Sequence, residues 1–114
     1  MAVSKISNDY HSTSFAITGH RGSIHFEKTG RLVNAWMNGD WTDVPSKAYT
    51  VIAPAGSIPE MYRPTDRTVF CAEQSFIGHT VLLYINADGS IGVYNYGSAI
   101  TSATNGIYNI CYFI

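Results

Sequence analysis

The stretch His79-Thr80-Val81-Leu82-Leu83-Tyr84-Ile85-Asn86-Ala87-Asp88-Gly89-Ser90-Ile91-Gly92-Val93-Tyr94-Asn95-Tyr96-Gly97 decides the fold class. Two β-prone runs flank Asn86 to Ser90, where Ala87-Asp88 suits a type I turn and Gly89 the left-handed residue that closes a three-residue hairpin loop. The loop predicts a register in which Asn86 faces Ser90, Ile85 faces Ile91 and Leu83 faces Val93. A period of two then sorts the side chains onto two faces. Val81, Leu83, Ile85, Ile91 and Val93 form a core face; Leu82, Tyr84, Gly92, Tyr94 and Tyr96 form the other. Tyrosine combines apolar area with a hydroxyl, so this second face either packs against a neighbouring sheet or subunit or offers a platform to a ligand.

Outward from this hairpin the chain reads as short strands punctuated by turns, the spacing of a sandwich or barrel. Strands are expected near 13–18, 22–28, 31–37, 47–53, 67–74, 79–86, 90–96 and 106–113, and no segment sustains a helical period. Residues 1–12 read as an arm or linker remnant, and 13–114 as a single β-domain. Lys28-Thr29-Gly30 has the same grammar as Ala87-Asp88-Gly89 and predicts a second hairpin. There Glu27 would oppose Arg31 and Phe26 would oppose Leu32, turning Ile24, Phe26, Leu32 and Trp36 toward the core. Asn38 to Pro45 reads as a turn-rich loop whose Trp41 is a ligand candidate, a cap on the barrel end or a filler of a subunit contact. The run from Ala53 to Pro64 contains three prolines, which cannot donate to a ladder, so it is expected to be a stiff connection between sheets. The last strand is bulky on both sides, which predicts a central position or a covering chain.

A chain of 114 residues holds one core, and a small all-β domain gains from association. Only 13% of residues are charged while 46% are hydrophobic, so Ser, Thr, Asn, Gly and Tyr must carry the surface, as suits an assembled virion or extracellular protein. A net charge of −1 provides no basic field for phosphate neutralisation, and nucleic acid is not an expected partner. No apolar run approaches the roughly 20 residues that span a bilayer, and Met1 to Ser7 lacks a signal-peptide core, so synthesis in a cytoplasm and no membrane partner are expected. Cys71 and Cys111 each sit in an apolar strand pattern and are expected to be reduced core residues.

Catalysis needs convergent titratable groups. His11, His20, His25 and His79 have no metal-ligand spacing, and no Cys-x-x-Cys pair is present. Neither a Gly-x-Ser-x-Gly elbow nor a Cys-His signature supplies a nucleophile. The carboxylates fall mostly in turns or plausible ion pairs rather than flanking a groove. The expectation is a non-enzyme with no catalytic residue, no metal and no cofactor.

The order Gly56-Ser57-Ile58-Pro59-Glu60-Met61-Tyr62-Arg63-Pro64, a strand, Ile85-Asn86-Ala87-Asp88-Gly89-Ser90-Ile91, then Asn105-Gly106-Ile107-Tyr108 resembles the C-terminal head domain of siphophage tail-tip receptor-binding proteins, the lactococcal phages above all. The resemblance covers roughly the last sixty residues; the chain to about Val44 fits only as generic strands. It implies a compact Greek-key β-barrel or sandwich head, homotrimeric, that binds saccharide or glycerol-phosphate polymer of the host cell wall without cleaving it. It further implies a virion location at the tail tip or baseplate, with other tail or baseplate proteins as partners. Carried over by position, the ring under the ligand is Tyr94, its strand partners are Leu82 and Tyr84, and the loop position is Ala103 or Thr104. Leu82 and Tyr84 stand where the family pattern has polar or charged side chains. The residues themselves add Tyr96, Asn95 and Trp41 as candidate ligand contacts. The alternative is a structural trimerisation module of the tail or baseplate with no glycan site, and a secreted or cell-surface lectin is a third reading.

Overall fold

The computed structural model describes residues 9–19, 21–41, 43–72, 81–101 and 104–114. The described residues form eight strands: β1 Tyr10–Ala16, β2 Gly22–Thr29, β3 Leu32–Trp41, β4 Ala48–Ala53, β5 Val69–Ala72, β6 Val81–Ile85, β7 Ile91–Asn95 and β8 Thr104–Phe113. They make two four-stranded sheets, β1-β2-β3-β8 and β4-β7-β6-β5, and every pairing is antiparallel. The long-range pairs are nested: β3 takes β8, β4 takes β7 and β5 takes β6. The crossings from β3 to β4 and from β7 to β8 run side by side, tied by the two backbone hydrogen bonds between Val44 and Ile100. β1 starts at Tyr10, inside the stretch expected to be an arm.

The inner faces of both sheets close on one core. Ile24, Phe26, Val33, Ala35 and Met37 come from the first sheet, and Ile52, Val81, Leu83, Ile85, Ile91 and Val93 from the second. The β6–β7 hairpin has the expected register, with Leu83 opposite Val93 and Ile85 opposite Ile91. Gly89 sits at φ +84°, and Asn86 and Ser90 close the loop through a backbone hydrogen bond of 3.0 Å. The Asp88 carboxylate accepts both the Ser90 N–H (2.9 Å) and the Ser90 hydroxyl (2.6 Å). Those two bonds hold its pKa below the ordinary carboxylate value.

The β2–β3 hairpin register is displaced by three residues from the expected one. Thr29 pairs with Leu32, so Phe26 opposes Ala35 and Glu27 opposes Asn34. Gly30, at φ +58°, and Arg31 form a two-residue loop with glycine first, which matches the type II′ turn favoured by the strand twist. Because side chains alternate with a period of two, a displacement by an odd number of residues turns a strand over. Val33, Ala35 and Met37 therefore enter the core, while Leu32 is exposed and Trp36 stands on the outer face. The same alternation carries β3 on to Trp41, which was expected in a loop.

β8 is an edge strand rather than a central one, flanked by β5 of the other sheet. Tyr108 and Tyr112 point into the core, and Ile107 and Phe113 are exposed. Both cysteines are free, but Cys111 is exposed and only Cys71 is partly covered. Burial pushes the Cys71 thiol up to about 11.

The proline-rich connection links β4 to β5, the two edges of a single sheet, instead of joining the two sheets. It carries a 3-10 turn at Glu60–Tyr62 and buries Ile58 and Tyr62. The connection is strapped to the hairpin loop. Gly56 N–H donates to the Asp88 carbonyl (2.9 Å), and Ile58 N–H donates to that of Gly89 (3.0 Å). Arg63 donates to the Ile58 carbonyl (2.7 Å). Two of the three segments that carry the resemblance, Gly56 to Pro64 and Ile85 to Ile91, are thus in direct contact.

Candidate functional site

β4, β5, β6 and β7 contain no charged residue. With Leu83 and Val93 turned inward, the period of two places Leu82, Tyr84, Gly92 and Tyr94 on the outer face, and register adds Tyr49 and Val51 from β4 and Phe70 from β5. The exposed fraction is 60% for Phe70, 57% for Val51 and 45% for Tyr49. Leu82, Tyr84 and Tyr94 are half-buried.

The rings on this face pack on one another. Tyr84 lies between Tyr49, edge-on at 5.5 Å, and Phe70, stacked at 5.5 Å. Tyr94 and Tyr96 are 4.4 Å apart. Partial burial, then the hydrogen bond with Tyr96, raises the pKa of the Tyr84 phenol. The space over Gly92 belongs to Tyr49: a Cβ at that position would lie 2.0 Å from the Tyr49 hydroxyl oxygen. Asn86 forms a polar rim, donating to the Tyr49 hydroxyl (3.0 Å) and to the Ser90 hydroxyl (2.9 Å) while its carbonyl accepts the Thr68 hydroxyl (2.8 Å).

Of the residues read as ligand contacts, Tyr84, Tyr94 and Leu82 share this face, and Tyr96 is exposed just beyond β7. Asn95 and Trp41 do not. Asn95 is 1% exposed and its carboxamide shapes the following turn, accepting the Gly97 N–H (2.9 Å) and donating to the Ser98 carbonyl (2.8 Å). Trp41 is 0% exposed. Its indole lies against the paired Gly39 and Gly106, where a Cβ would approach it to 3.0 and 2.7 Å, and its N–H donates to the Tyr108 hydroxyl (3.2 Å). Neither residue has surface to offer a ligand. Thr104 begins β8 opposite Trp41; its side chain and Ala103 lie outside the described residues. Tyr49 and Val51 were missed because β4 meets β7 only across a long connection, and Phe70 because its face depends on the β5–β6 register. Their strands alternate, but alternation names no neighbour.

Among the described residues no group of three or more His, Cys, Asp or Glu side chains could hold a metal ion; His20 and His79 lie outside them. No helix among the described residues is long and apolar enough to cross a membrane.

The fold and its aromatic face define an all-β domain of two antiparallel four-stranded sheets with one uncharged outer surface. No family model and no curated protein matches the chain.

Proposed function

We propose that this domain is a non-catalytic adhesion head that binds saccharide of a host cell surface on the outer face of β4-β7-β6-β5. The reading takes it as a Greek-key head that works as a homotrimer at a phage tail tip or baseplate. The observation that carries it is the uncharged aromatic surface made by Tyr49, Phe70, Tyr84 and Tyr94. Contiguous apolar surface of this kind is rare on a monomer without a contact role. Aromatic rings stack on the apolar faces of pyranoses while hydroxyls and the Asn86 rim hydrogen-bond to sugar hydroxyls. Weak single sites suffice when several heads act together.

One observation favours the structural-module reading. Tyr84 is already wedged between Tyr49 and Phe70, as side chains are at a subunit contact. Tyr84→Ala and Tyr94→Ala separate the two. Loss of binding to host cell-wall fragments and glycerol-phosphate polymer, with the oligomeric mass unchanged in light scattering, supports the adhesion face. Monomers, or binding that survives both substitutions, would remove it.

A further inference from the structure

The outer face of the first sheet carries a different kind of surface. His25 on β2 is paired with Trp36 on β3, and their rings stack at 5.0 Å with 10° between planes. Stacking across the strands holds the indole in one orientation, upright on the sheet. Beside it, between β3 and β8, lies a groove of about 440 Å³ lined by His25, Trp36, Asn38, Ile107 and Asn109. Met37 and Tyr108, whose side chains belong to the core, supply its floor. This volume falls within the range of small-molecule sites.

The lining is specific in what it contains. Among the described residues no carboxylate, lysine or arginine lines it, and its one ionisable side chain outside the core, His25, is stacked on Trp36. Asn34, Asn86 and Asn95 use their carboxamides within the chain, on the Cys111 thiol, the hairpin loop and the turn after β7. Asn38 and Asn109 are exposed, and neither carboxamide bonds to another described residue. Register places them diagonally, since Trp36 pairs with Asn109 and Asn38 with Ile107. Such diagonal neighbours are separated by about 7–8 Å. Two carboxamides that bond to no other described residue therefore stand diagonally across the groove, beside the exposed Ile107 side chain and a fixed indole.

We propose that this groove is a second binding site, separate from the tyrosine face, for a neutral pyranoside. One apolar face of the sugar lies against Trp36 and Ile107, and its hydroxyls exchange hydrogen bonds with Asn38 and Asn109. The site shares a ligand class with the adhesion reading but no residue, and it lies on the opposite face of the molecule. It stands whether or not the tyrosine face binds sugar.

The chain has two tryptophans, of which Trp41 is sealed in the core and Trp36 lines the groove. Intrinsic fluorescence and acrylamide quenching of the full chain thus isolate the site. Titration with the methyl glycosides of glucose, galactose, N-acetylglucosamine and rhamnose should give, for at least one of them, a saturable shift and protection of one indole. Glycerol 3-phosphate, an anionic probe, should give neither. Asn38→Ala and Asn109→Ala, both on the exposed face, should each weaken the response about tenfold, and Trp36→Phe should abolish the shift. Tyr84→Ala and Tyr94→Ala should leave it intact, so failure here and failure of the tyrosine face read out separately. The proposal falls if no glycoside perturbs the indole at tens of millimolar, if the response survives Trp36→Phe, or if Trp36 is already shielded from acrylamide in the free protein.

Discussion

The two sheets bury matching inner faces and present unlike outer ones. On β4-β7-β6-β5 every outward position is uncharged and the rings rest on each other, with Tyr49 lying over Gly92. On β1-β2-β3-β8 the outward positions include His25, Glu27, Asn34, Asn38 and Asn109, and a groove opens beside a single upright indole. A surface that satisfies its own rings suits a broad, flat contact. One whose carboxamides bond to no other described residue, beside a fixed ring, suits a small polar ligand. The same strand alternation generates both, and the difference lies in which side chains fall outward.

The shared core sets the largest expected effect. Phe26→Ala in the first sheet and Leu83→Ala in the second should each cost about 2–5 kcal/mol, because both fill one core. Each variant should unfold in one cooperative transition in urea. Separate transitions for the two sheets would contradict a common core.

Glycine substitution distinguishes the sheets at smaller cost. Gly22, at φ +94°, would place a Cβ 2.2 Å from the Asn38 carbonyl oxygen. That atom belongs to a paired strand and cannot swing aside, so Gly22→Ala should cost about 2–4 kcal/mol. Gly92→Ala meets only the Tyr49 ring, which is exposed enough to move. Its cost should be about 1–2 kcal/mol, with the Asn86–Tyr49 hydrogen bond lost. Equal urea midpoints for the two variants would mean that Tyr49 is held more firmly than its exposure implies.

The mildest contrast lies in the thiols. At pH 8 the exposed Cys111 should react quickly with a disulfide reagent, and Cys111→Ser should remove that phase. Cys71, raised to about 11 by burial, stays protonated at pH 8 and gains thiolate only as the pH nears that value. Its reaction should therefore be slow in the folded protein. Fast labelling of Cys71 would place β5 at a looser edge than its packing beside β8 indicates.

The β6–β7 hairpin was legible because turn chemistry and alternation agree locally: Gly89 demands a left-handed residue, and the five-residue strands on either side carry one apolar face each. The β2–β3 hairpin was not. Leu32 and Val33, or Trp36 and Met37, offer an apolar residue in either register, so composition could not choose between a two- and a three-residue loop. The misread register hid the groove, since it assigned Trp36 to the core. It also hid Trp41, whose indole fits only because Gly39 and Gly106 meet across β3 and β8.

By itself the sequence determined the strand periods, the glycine turns and the aromatic content of one face, all properties of residues within a few positions of each other. Tertiary structure alone decided that β4 lies beside β7, that the proline-rich connection grips the hairpin loop, and that His25, Trp36, Asn38 and Asn109 share one surface. Those outcomes depend on how two sheets fill a common interior, and packing over that distance leaves no periodic signature in the chain.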